Sequence, residues 1–410
     1  MALTAPVPAR AIIERAAAAL APFAAAFAVV CPAAAQTPSV RLGPAEVRPY
    51  VLFHLDEGGT FGQDRPGGQA AGFNLRRGRL GAQADVADEW QFGFVWDFGA
   101  PPGTRPRLFE ARVAYAGLKP FTFSAGAFNP SFTHAYAQYA GVLPFLEYPS
   151  ITTVVTALVA DQGRVAGEIS AAGDRWFAAA MLTGARLAPG QDSEQRAVLG
   201  RAVGLVVKRG DLAVHLGLDG AWLFRPPRLG GGGPAVSFSD QPELNIDSVS
   251  PSLSTGSIAA SGVKIGGVEA GVSWGRLWLF GEWYGIGVDR RGSRSDPFFS
   301  GWYAHAAYTL LGTPRQWVPD TATWEPPTSD RRFDPANGEW GRLEVAARVS
   351  TVDLNSTDVR GGRQRVWSAS AIWSPVAPLR LLLQYQHAAV AGGPAPRRLN
   401  AVAVRGQLGF

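Results

Sequence analysis

Cysteine, lysine and long apolar runs are all scarce in this 410-residue sequence. The single cysteine, Cys31, lies in the N-terminal segment, so the chain beyond residue 35 has no thiol and no disulfide framework. That absence is typical of proteins exported through an oxidising compartment. No stretch after residue 35 approaches the ~20 apolar residues of a spanning helix, so a membrane location would require strands.

Residues 1–35 are expected to be a secretory signal peptide. Two arginines precede an Ala-rich apolar run over Ala16–Val30, and small residues follow at Ala33–Ala35. A transmembrane anchor is the alternative, but the small-residue site and the abrupt change to polar sequence favour cleavage. Residues 36–410 are then expected to form one large all-β domain, because no convincing helix-period segment or linker interrupts them.

Side chains alternate between apolar and polar along many segments of this domain. Trp90–Phe98 places every aromatic residue on one parity and Gln, Gly, Val and Asp on the other, which are opposite faces of a strand. Trp340–Val352 repeats the pattern with a charged second face. Because Lys or Arg against lipid costs about 2–4 kcal/mol at the bilayer midplane, that face must meet water or paired partners. Roughly sixteen such segments can be counted, which predicts a closed transmembrane antiparallel β-barrel.

Short turns and long connections separate these segments. The short turns are Val86–Glu89, Gly117–Pro120, Lys208–Asp211 and Ser374–Ala377. The long, Gly- and Pro-rich connections are Asp56–Ala71, Asn129–Asp161, Gly184–Ala197, Arg225–Ala259 and Gly312–Gly338. Outer-membrane barrels have short turns on one rim and long loops on the other, so the two sets are predicted to lie at opposite ends.

The chain ends in a further alternating segment that closes on an aromatic residue. Val402, Val404, Leu408 and Phe410 share one parity. A terminal strand with a C-terminal Phe is typical of outer-membrane barrels, where it is associated with the assembly machinery. Phe410 is therefore the predicted contact with that machinery.

Several segments together resemble the phosphate-selective porin O/P family. They are Leu75–Gly81, Val268–Ala270, Leu279–Tyr284, Phe299–Tyr303, Tyr308–Gly312 and, most specifically, the residues Trp340, Leu343–Glu344, Arg348–Ser350 and Asp353–Asn355. The resemblance covers nearly all of residues 36–410. It implies a sixteen-stranded trimeric porin whose third long loop, here Asn129–Asp161, folds into the lumen and constricts the pore, and whose basic residues attract anions.

The constriction segment departs from the family pattern in its charge. Phosphate-selecting members line it with Arg and a ladder of Lys, whereas residues 129–163 contain neither and offer His134 and Glu147 instead. The whole chain has three lysines, Lys119, Lys208 and Lys264. The resemblance therefore predicts the fold and the pore more strongly than phosphate selectivity.

Strand parity selects the arginines that should face the lumen, where charge near the waist sorts ions. The predicted pore-lining, anion-binding set is Arg77, Arg79, Arg112, Arg342, Arg348, Arg380 and Arg405. Arg77 and Arg79 form the favoured anion site, while Arg76 shares a face with Leu80, Ala82 and Val86. The alternative is structural: Arg112 paired with Glu110, or Arg342 and Arg348 paired with Glu344, would stiffen the wall.

Signals for catalysis, metal binding and nucleic-acid binding are weak. The five histidines have no metal-ligand spacing, so no metal site or cofactor is predicted. A Gly-x-Ser-x-Gly match occurs at Gly271–Gly275, but a nucleophile elbow requires a helix next, and strand-like sequence follows instead. Nucleic acid is not an expected partner, since the aromatics lie mostly opposite the charges.

The sequence thus predicts an outer-membrane porin for passive diffusion of small solutes, with a preference for anions such as phosphate or similar oxyanions. One alternative prediction is a general porin with weak selectivity among solutes. The other is an enzyme, an outer-membrane barrel hydrolase. The predicted partners are small anionic solutes, outer-membrane lipid, the assembly machinery and two further copies in a homotrimer.

Overall fold

The computed structural model describes residues 39–62, 71–99, 106–161, 163–187, 194–228, 232–245, 251–328 and 333–410. The proposed signal peptide at residues 1–35 lies outside the described residues. Within those ranges no helix is long and apolar enough to cross a membrane.

Sixteen long strands form the body of the molecule. They are β1 (Ala45–Phe61), β2 (Ala71–Val86), β3 (Trp90–Asp97), β4 (Arg107–Tyr115), β5 (Phe121–Phe128), β6 (Arg164–Gly173), β7 (Trp176–Arg186), β8 (Arg196–Arg209), β9 (Leu212–Arg225), β10 (Ile258–Trp274), β11 (Leu277–Arg290), β12 (Phe298–Leu311), β13 (Arg342–Ser356), β14 (Val359–Ser374), β15 (Leu379–Ala391) and β16 (Arg397–Gly409). Each pairs antiparallel with the next, and β16 pairs with β1. The ring is closed, which confirms the predicted sixteen-stranded barrel and leaves no open edge in the membrane.

The predicted alternation is present in the burial of the strands. On β3 the rings of Trp90, Phe92 and Phe94 are exposed on the outer surface, while Val95 and Asp97 are buried inside. Strand β13 likewise buries its charged parity and exposes its apolar one. An apolar outer surface and a polar inner one suit a wall between lipid and lumen.

A bulge interrupts the alternation on β2. His54 of β1 lies opposite Arg77, but the next pair is Leu55 with Leu75, so Arg76 has no partner across the strands. A bulge adds one residue and re-aims side chains. Arg76 and Arg77 both reach the carboxylate of Glu147 inside the barrel. The predicted placement of Arg76 on the face of Leu80 is therefore wrong.

One long connection lies on the opposite rim of the barrel from the one that was predicted. The four predicted short turns lie together on one rim, here called the short-turn rim, which also carries the C-terminus. Residues 312–341, called turn 6, join β12 to β13 on that same rim, so the long connection predicted at Gly312–Gly338 does not lie with the loops. In outer-membrane barrels the short-turn rim faces the periplasm.

Three connections fold back into the barrel over the residues that the structure describes. Loop 3 (residues 129–161) carries the helices α1 (His134–Ala137) and α2 (Ser150–Val159). Loop 5 (residues 226–257) contains the short strand pair Ser239–Asp240 and Leu253–Ser254. Turn 6 contains the hairpin Gln316–Val318 and Thr323–Glu325.

One side of the interior, along β7–β13, is filled by apolar side chains. Ile151 of α2 packs in a cluster with Phe280, Phe299 and other inward-facing residues. The contact needs a glycine, because a Cβ at Gly301 would lie 3.0 Å from the Ile151 side chain and 2.6 Å from a backbone oxygen of β13. This half is therefore packed like the core of a soluble protein.

Candidate functional site

Loop 3 lies inside the barrel, as its hydrogen bonds to the wall show. The backbone N–H of His134 donates to Glu282 on β11 (2.7 Å), and that of Leu146 donates to Gln384 on β15 (2.9 Å). On β6, Glu168 accepts from the N–H and hydroxyl of Ser131. Since these strands are spread around the ring, a segment that contacts all of them occupies the lumen.

The Glu147 carboxylate is the centre of charge in loop 3. Arg76 donates to both of its oxygens at 2.7 and 3.0 Å, and Arg77 and Arg405 each donate at 3.1 Å. Burial alone would raise the pKa of Glu147, but Arg76, Arg77 and Arg405 together lower it to about 2. The carboxylate is therefore ionised at neutral pH and joins loop 3 to strands β2 and β16.

Backbone carbonyls of loop 3 hold further guanidinium groups. Arg405 donates to the Leu146 carbonyl at 2.5 Å, Arg348 to that of Glu147 at 3.0 Å, and Arg380 to that of Leu143 at 3.0 Å. A guanidinium offers five N–H donors in a fixed plane, which suits a stretch of unpaired carbonyls. Five arginines thus converge on residues 141–147; we call Arg76, Arg77, Arg348, Arg380 and Arg405 the arginine cluster.

The carboxylates beside the arginine cluster balance only part of its charge. Arg405 makes a bidentate pair with Asp56 at 2.6 Å, and Arg348 pairs with Glu243 of loop 5. With Glu147, three carboxylates face five guanidinium groups. Two positive charges remain in excess around the inward-folded loop.

Loop 5 supports loop 3 from the other side. Glu243 accepts from the backbone N–H of Ser150 at the start of α2 (3.2 Å) and from the Ser350 hydroxyl. Gln386 of β15 donates to the Pro242 carbonyl at 2.8 Å. The two loops are therefore fixed to each other and to the wall.

Two of the other predicted pore-lining arginines make wall contacts. Arg79 pairs with Asp97 at 3.0 Å and stacks over the Phe109 ring at 3.5 Å. Arg342 donates to the Pro327 carbonyl of turn 6 at 2.6 Å. The Glu344 carboxylate pairs with Arg315 of turn 6, at 2.7 Å to both oxygens, and not with Arg342 or Arg348 as the structural alternative predicted.

Arg112 differs from the arginine cluster in its exposure. Its side chain is 28% exposed, and its Nε lies 3.6 Å from Glu110, the predicted pair. Other inward-facing side chains on β1–β4 are also partly accessible, and they form with Arg112 what we call the accessible strip: Arg48, Gln83, Asp85, Gln91, Glu110 and Arg112. Tyr139 of loop 3 is exposed beside this wall, with its ring 5.9 Å from that of Tyr50.

A family model described as phosphate-selective porin O and P matches residues 47–410. The chain belongs to this family. It is accordingly an outer-membrane β-barrel protein of bacteria, as the resemblance implied.

Individual known proteins are similar to this porin at 28% identity or less. An uncharacterised protein of Caulobacter vibrioides is 28% identical over 229 residues, which are 54% of this chain and 44% of that protein, so the match spans less than half of the relative. OmpT of Vibrio cholerae is 11% identical with a TM-score of 0.57, covering 91% of this chain and 100% of that one. An anion-selective porin from Comamonas acidovorans is 12% identical with a TM-score of 0.53, covering 89% and 100%. At such identities the solved structures show the fold.

The lysines of this porin lie away from the lumen. Lys119 and Lys208 are exposed at or beside short turns, and Lys264 points outward and pairs with Asp289 at 3.1 Å. The structure therefore contains no lysine ladder beside loop 3. Among the described residues beside the loop, the positive charge comes from arginine.

The two residues predicted in the constriction loop lie in different surroundings. Glu147 lies among the arginine cluster, whereas His134 is fully buried and stacks on Phe280 at 3.7 Å between ring centroids. His215 and His305 also lie in this aromatic cluster. Sequence spacing could not reveal this grouping, because the three histidines come from loop 3, β9 and β12.

The Gly-x-Ser-x-Gly match forms no nucleophile elbow. Ser273 lies near the end of β10, and the chain turns at Gly275, with φ of 55°, directly into β11. A strand-to-helix turn is absent at this position. The serine is therefore an ordinary strand residue.

Proposed function

We propose that this porin is a passive channel that prefers small anions. The observation that carries the proposal is the two-charge excess of the arginine cluster over Asp56, Glu147 and Glu243 around loop 3. Charge at a narrow, low-dielectric passage concentrates counter-ions and favours their entry. Loop 3 narrows the lumen, as the family resemblance implies.

The path of the ions follows the accessible strip on β1–β4. The opposite half of the interior is filled by the apolar cluster around Ile151 and Phe280, which leaves no room there for ions in transit. Arg112 is the partly exposed arginine of the predicted pore-lining set on that strip, so it contacts the ion in transit. The buried arginine cluster acts at longer range through its field and fixes loop 3.

The substrate class is small anions, including phosphate and similar oxyanions. No lysine reaches the lumen in the described residues, so a lysine ladder does not contribute to selection. A general, weakly selective channel is the second candidate. It is favoured by the accessible strip itself, where Arg112 faces Glu110 and Arg48 faces Asp85, which leaves little net charge on that surface.

The partners are outer-membrane lipid on the apolar outer surface, two further copies in a trimer and the assembly machinery at the C-terminus. A trimer form is described for OmpT of Vibrio cholerae. Phe410 pairs with Val51 of β1 at 2.9 and 3.0 Å and leaves its ring exposed, so the ring is available to the machinery before closure. The proposal involves no catalysis.

Reversal potentials in planar bilayers test the proposal. In a KCl gradient, the wild-type channel should give a potential of the sign set by chloride, and Arg112→Gln should move it toward zero. Arg209→Gln, which removes the same charge from an exposed site at the short-turn rim, is the control and should leave it unchanged. A potential set by potassium would refute anion preference. Phospholipid hydrolysis by detergent extracts, without any conductance, would favour the hydrolase.

A further inference from the structure

Arginines face away from the lumen near the loop rim of β14 and β16. Arg363 and Arg365 lie on the exposed parity of β14, and Arg398 lies on that of β16. The described strands β13–β16 carry two carboxylates: Glu344 is buried inside, and Asp353 faces outward and accepts from Arg363 at 2.8 Å. The outer face of these strands therefore carries more positive than negative charge.

Two of these arginines lie on one line across the sheet. Arg365 stands opposite Ala389 of β15, and Ala389 stands opposite Arg398 of β16. We call these three residues the arginine row. Since neighbouring strands are ~4.8 Å apart, the two arginine Cα atoms are separated by about 10 Å. The small side chain of Ala389 leaves the space between the two long ones open, so both guanidinium groups can contact one ligand there.

The arginine row lies at the depth where lipid headgroups meet the hydrocarbon. Trp367 follows Arg365 on the same face and is 54% exposed, and Tyr385 on β15 is 45% exposed. The Tyr385 hydroxyl donates to the side chain of Asn400 at 2.8 Å. Exposed Trp and Tyr rings mark the membrane interface, and the rim of long loops faces the cell exterior. The arginines thus extend their charges toward the headgroups of the outer leaflet.

An open apolar groove lies below the arginine row on the same face. Ala306, Ala347 and Ala369 stand opposite one another on β12, β13 and β14, and with Leu383 and other outward side chains they line a groove of about 580 Å³. Ala369 is four residues from Arg365, which is ~13 Å along the strand. The hydrocarbon core is ~30 Å thick, so the groove lies among the acyl chains of the same leaflet.

We propose that the arginine row and this groove together bind one lipid with a phosphate headgroup. Arg365 and Arg398 hold the phosphate, because the planar fork of a guanidinium matches phosphate oxygens and the charges are opposite. An acyl chain lies over Ala347 and Ala369, where small side chains let it pack closely against the wall.

The occupant is a lipid and not free phosphate, because the arginine row lies at headgroup depth and the apolar groove lies directly below it. Binding on the outer face is separate from conduction through the lumen. This proposal and the proposed anion preference therefore fail independently.

Lipid retention by the full chain, folded in neutral detergent micelles, tests the site. The protein is titrated with dilauroyl phosphatidic acid or with dilauroyl phosphatidylcholine, which has the same acyl chains and no net charge, and native mass spectrometry counts the bound lipid. The wild type should retain one phosphatidic acid molecule per chain at concentrations at which phosphatidylcholine is lost. Inorganic phosphate in excess should not release it.

Variants of the arginine row test the headgroup contact. Arg365→Gln and Arg398→Gln should each lower the affinity for phosphatidic acid about fivefold, the effect of one basic residue near an anionic membrane surface. Lys264→Gln removes an outward charge that is already paired with Asp289, so it is the control and should bind as the wild type does.

A change of volume tests the groove without changing charge. Ala369→Phe fills the groove and should weaken retention, whereas Ala202→Phe, on the exposed face of β8, should not. Equal losses in these two variants would overturn the groove as part of the site.

The wild type alone also decides the proposal, without dependence on the folding of a variant. Equal retention of phosphatidic acid and phosphatidylcholine would overturn it, as would release of the lipid by inorganic phosphate. Unchanged affinity in both arginine variants would overturn the arginine row as the headgroup site.

Discussion

Replacing Glu147 by Gln should make the channel more anion-selective. The substitution removes one of three carboxylates beside the five guanidinium groups of the arginine cluster, so the excess rises from two positive charges to three. At a separation of ~6 Å, one unit charge changes the energy of a passing ion by about 0.7 kcal/mol in water and by about 3 kcal/mol at an effective dielectric constant of 20. The lower figure alone is a factor of about three for each ion, in opposite directions for anion and cation, and so a factor of about ten in the ratio of anion to cation permeability.

Two control variants separate charge from structure in this experiment. Glu147→Asp keeps the charge and weakens the contacts with Arg76 and Arg405, so selectivity should stay near that of the wild type. Glu89→Gln removes a charge from an exposed short turn and should have no effect. Reversal potentials in a salt gradient give all the ratios. If Glu147→Gln leaves the ratio unchanged or shifts it toward cations, the field of the cluster does not govern selectivity.

Acid should release the same anchor of loop 3. The pKa of Glu147 is lowered from 4.5 to about 2, so its ionised form stabilises the folded loop. That stabilisation, of the order of 3 kcal/mol, is present above pH ~4.5 and is lost as the pH falls toward ~2. Single-channel records between these pH values should become noisier in the wild type and stay unchanged in Glu147→Gln. Identical records for both proteins would contradict the role of this carboxylate.

Further variants test the neighbouring contacts. Arg79→Ala leaves Asp97 buried without its guanidinium partner and should lower the free energy of unfolding by denaturant by about 3–5 kcal/mol. Lys119→Ala, on an exposed turn, is the control and should change that free energy by less than ~0.5 kcal/mol. Equal effects of the two variants would mean that the pair is not structural. Replacing Arg77 and Arg79 together by Ala should lower the anion preference, and an unchanged permeability ratio would assign both to the wall. Replacing the turn 6 hairpin, residues 316–325, by a Gly-Ser linker should raise the conductance, because Trp324 and its neighbours are then removed from the lumen. A conductance equal to that of the wild type would place the hairpin off the ion path.

Local sequence pattern was sufficient for the barrel. The period of two in segments such as Trp90–Phe98 follows from strand geometry, so it could be read without knowing any partner strand. The same pattern gave the inward direction of Arg112, Arg348 and Arg405. It failed at Arg76, because a bulge depends on the pairing of two strands and leaves no mark on the parity of one.

Turn 6 shows a further limit of the pattern. A long Gly- and Pro-rich connection resembles a loop of the opposite rim in composition, and only the count of strands before it determines its side. Its inward fold depends on partners that are distant in sequence, such as Arg201 for the carbonyls of Thr321 and Ala322.

The sequence by itself determined the outward and inward faces of this porin, its strand number and its membrane setting, because each depends on interactions within a strand or with lipid. Only the tertiary structure decided which charges meet. Closure of the ring brings Arg405 to Asp56, 349 residues away, and folds Glu147 among arginines from β2 and β16. It also gathers Asp219, Glu269 and Glu282 from three neighbouring strands into one buried group. Such meetings depend on strand register and ring closure, which no local pattern records.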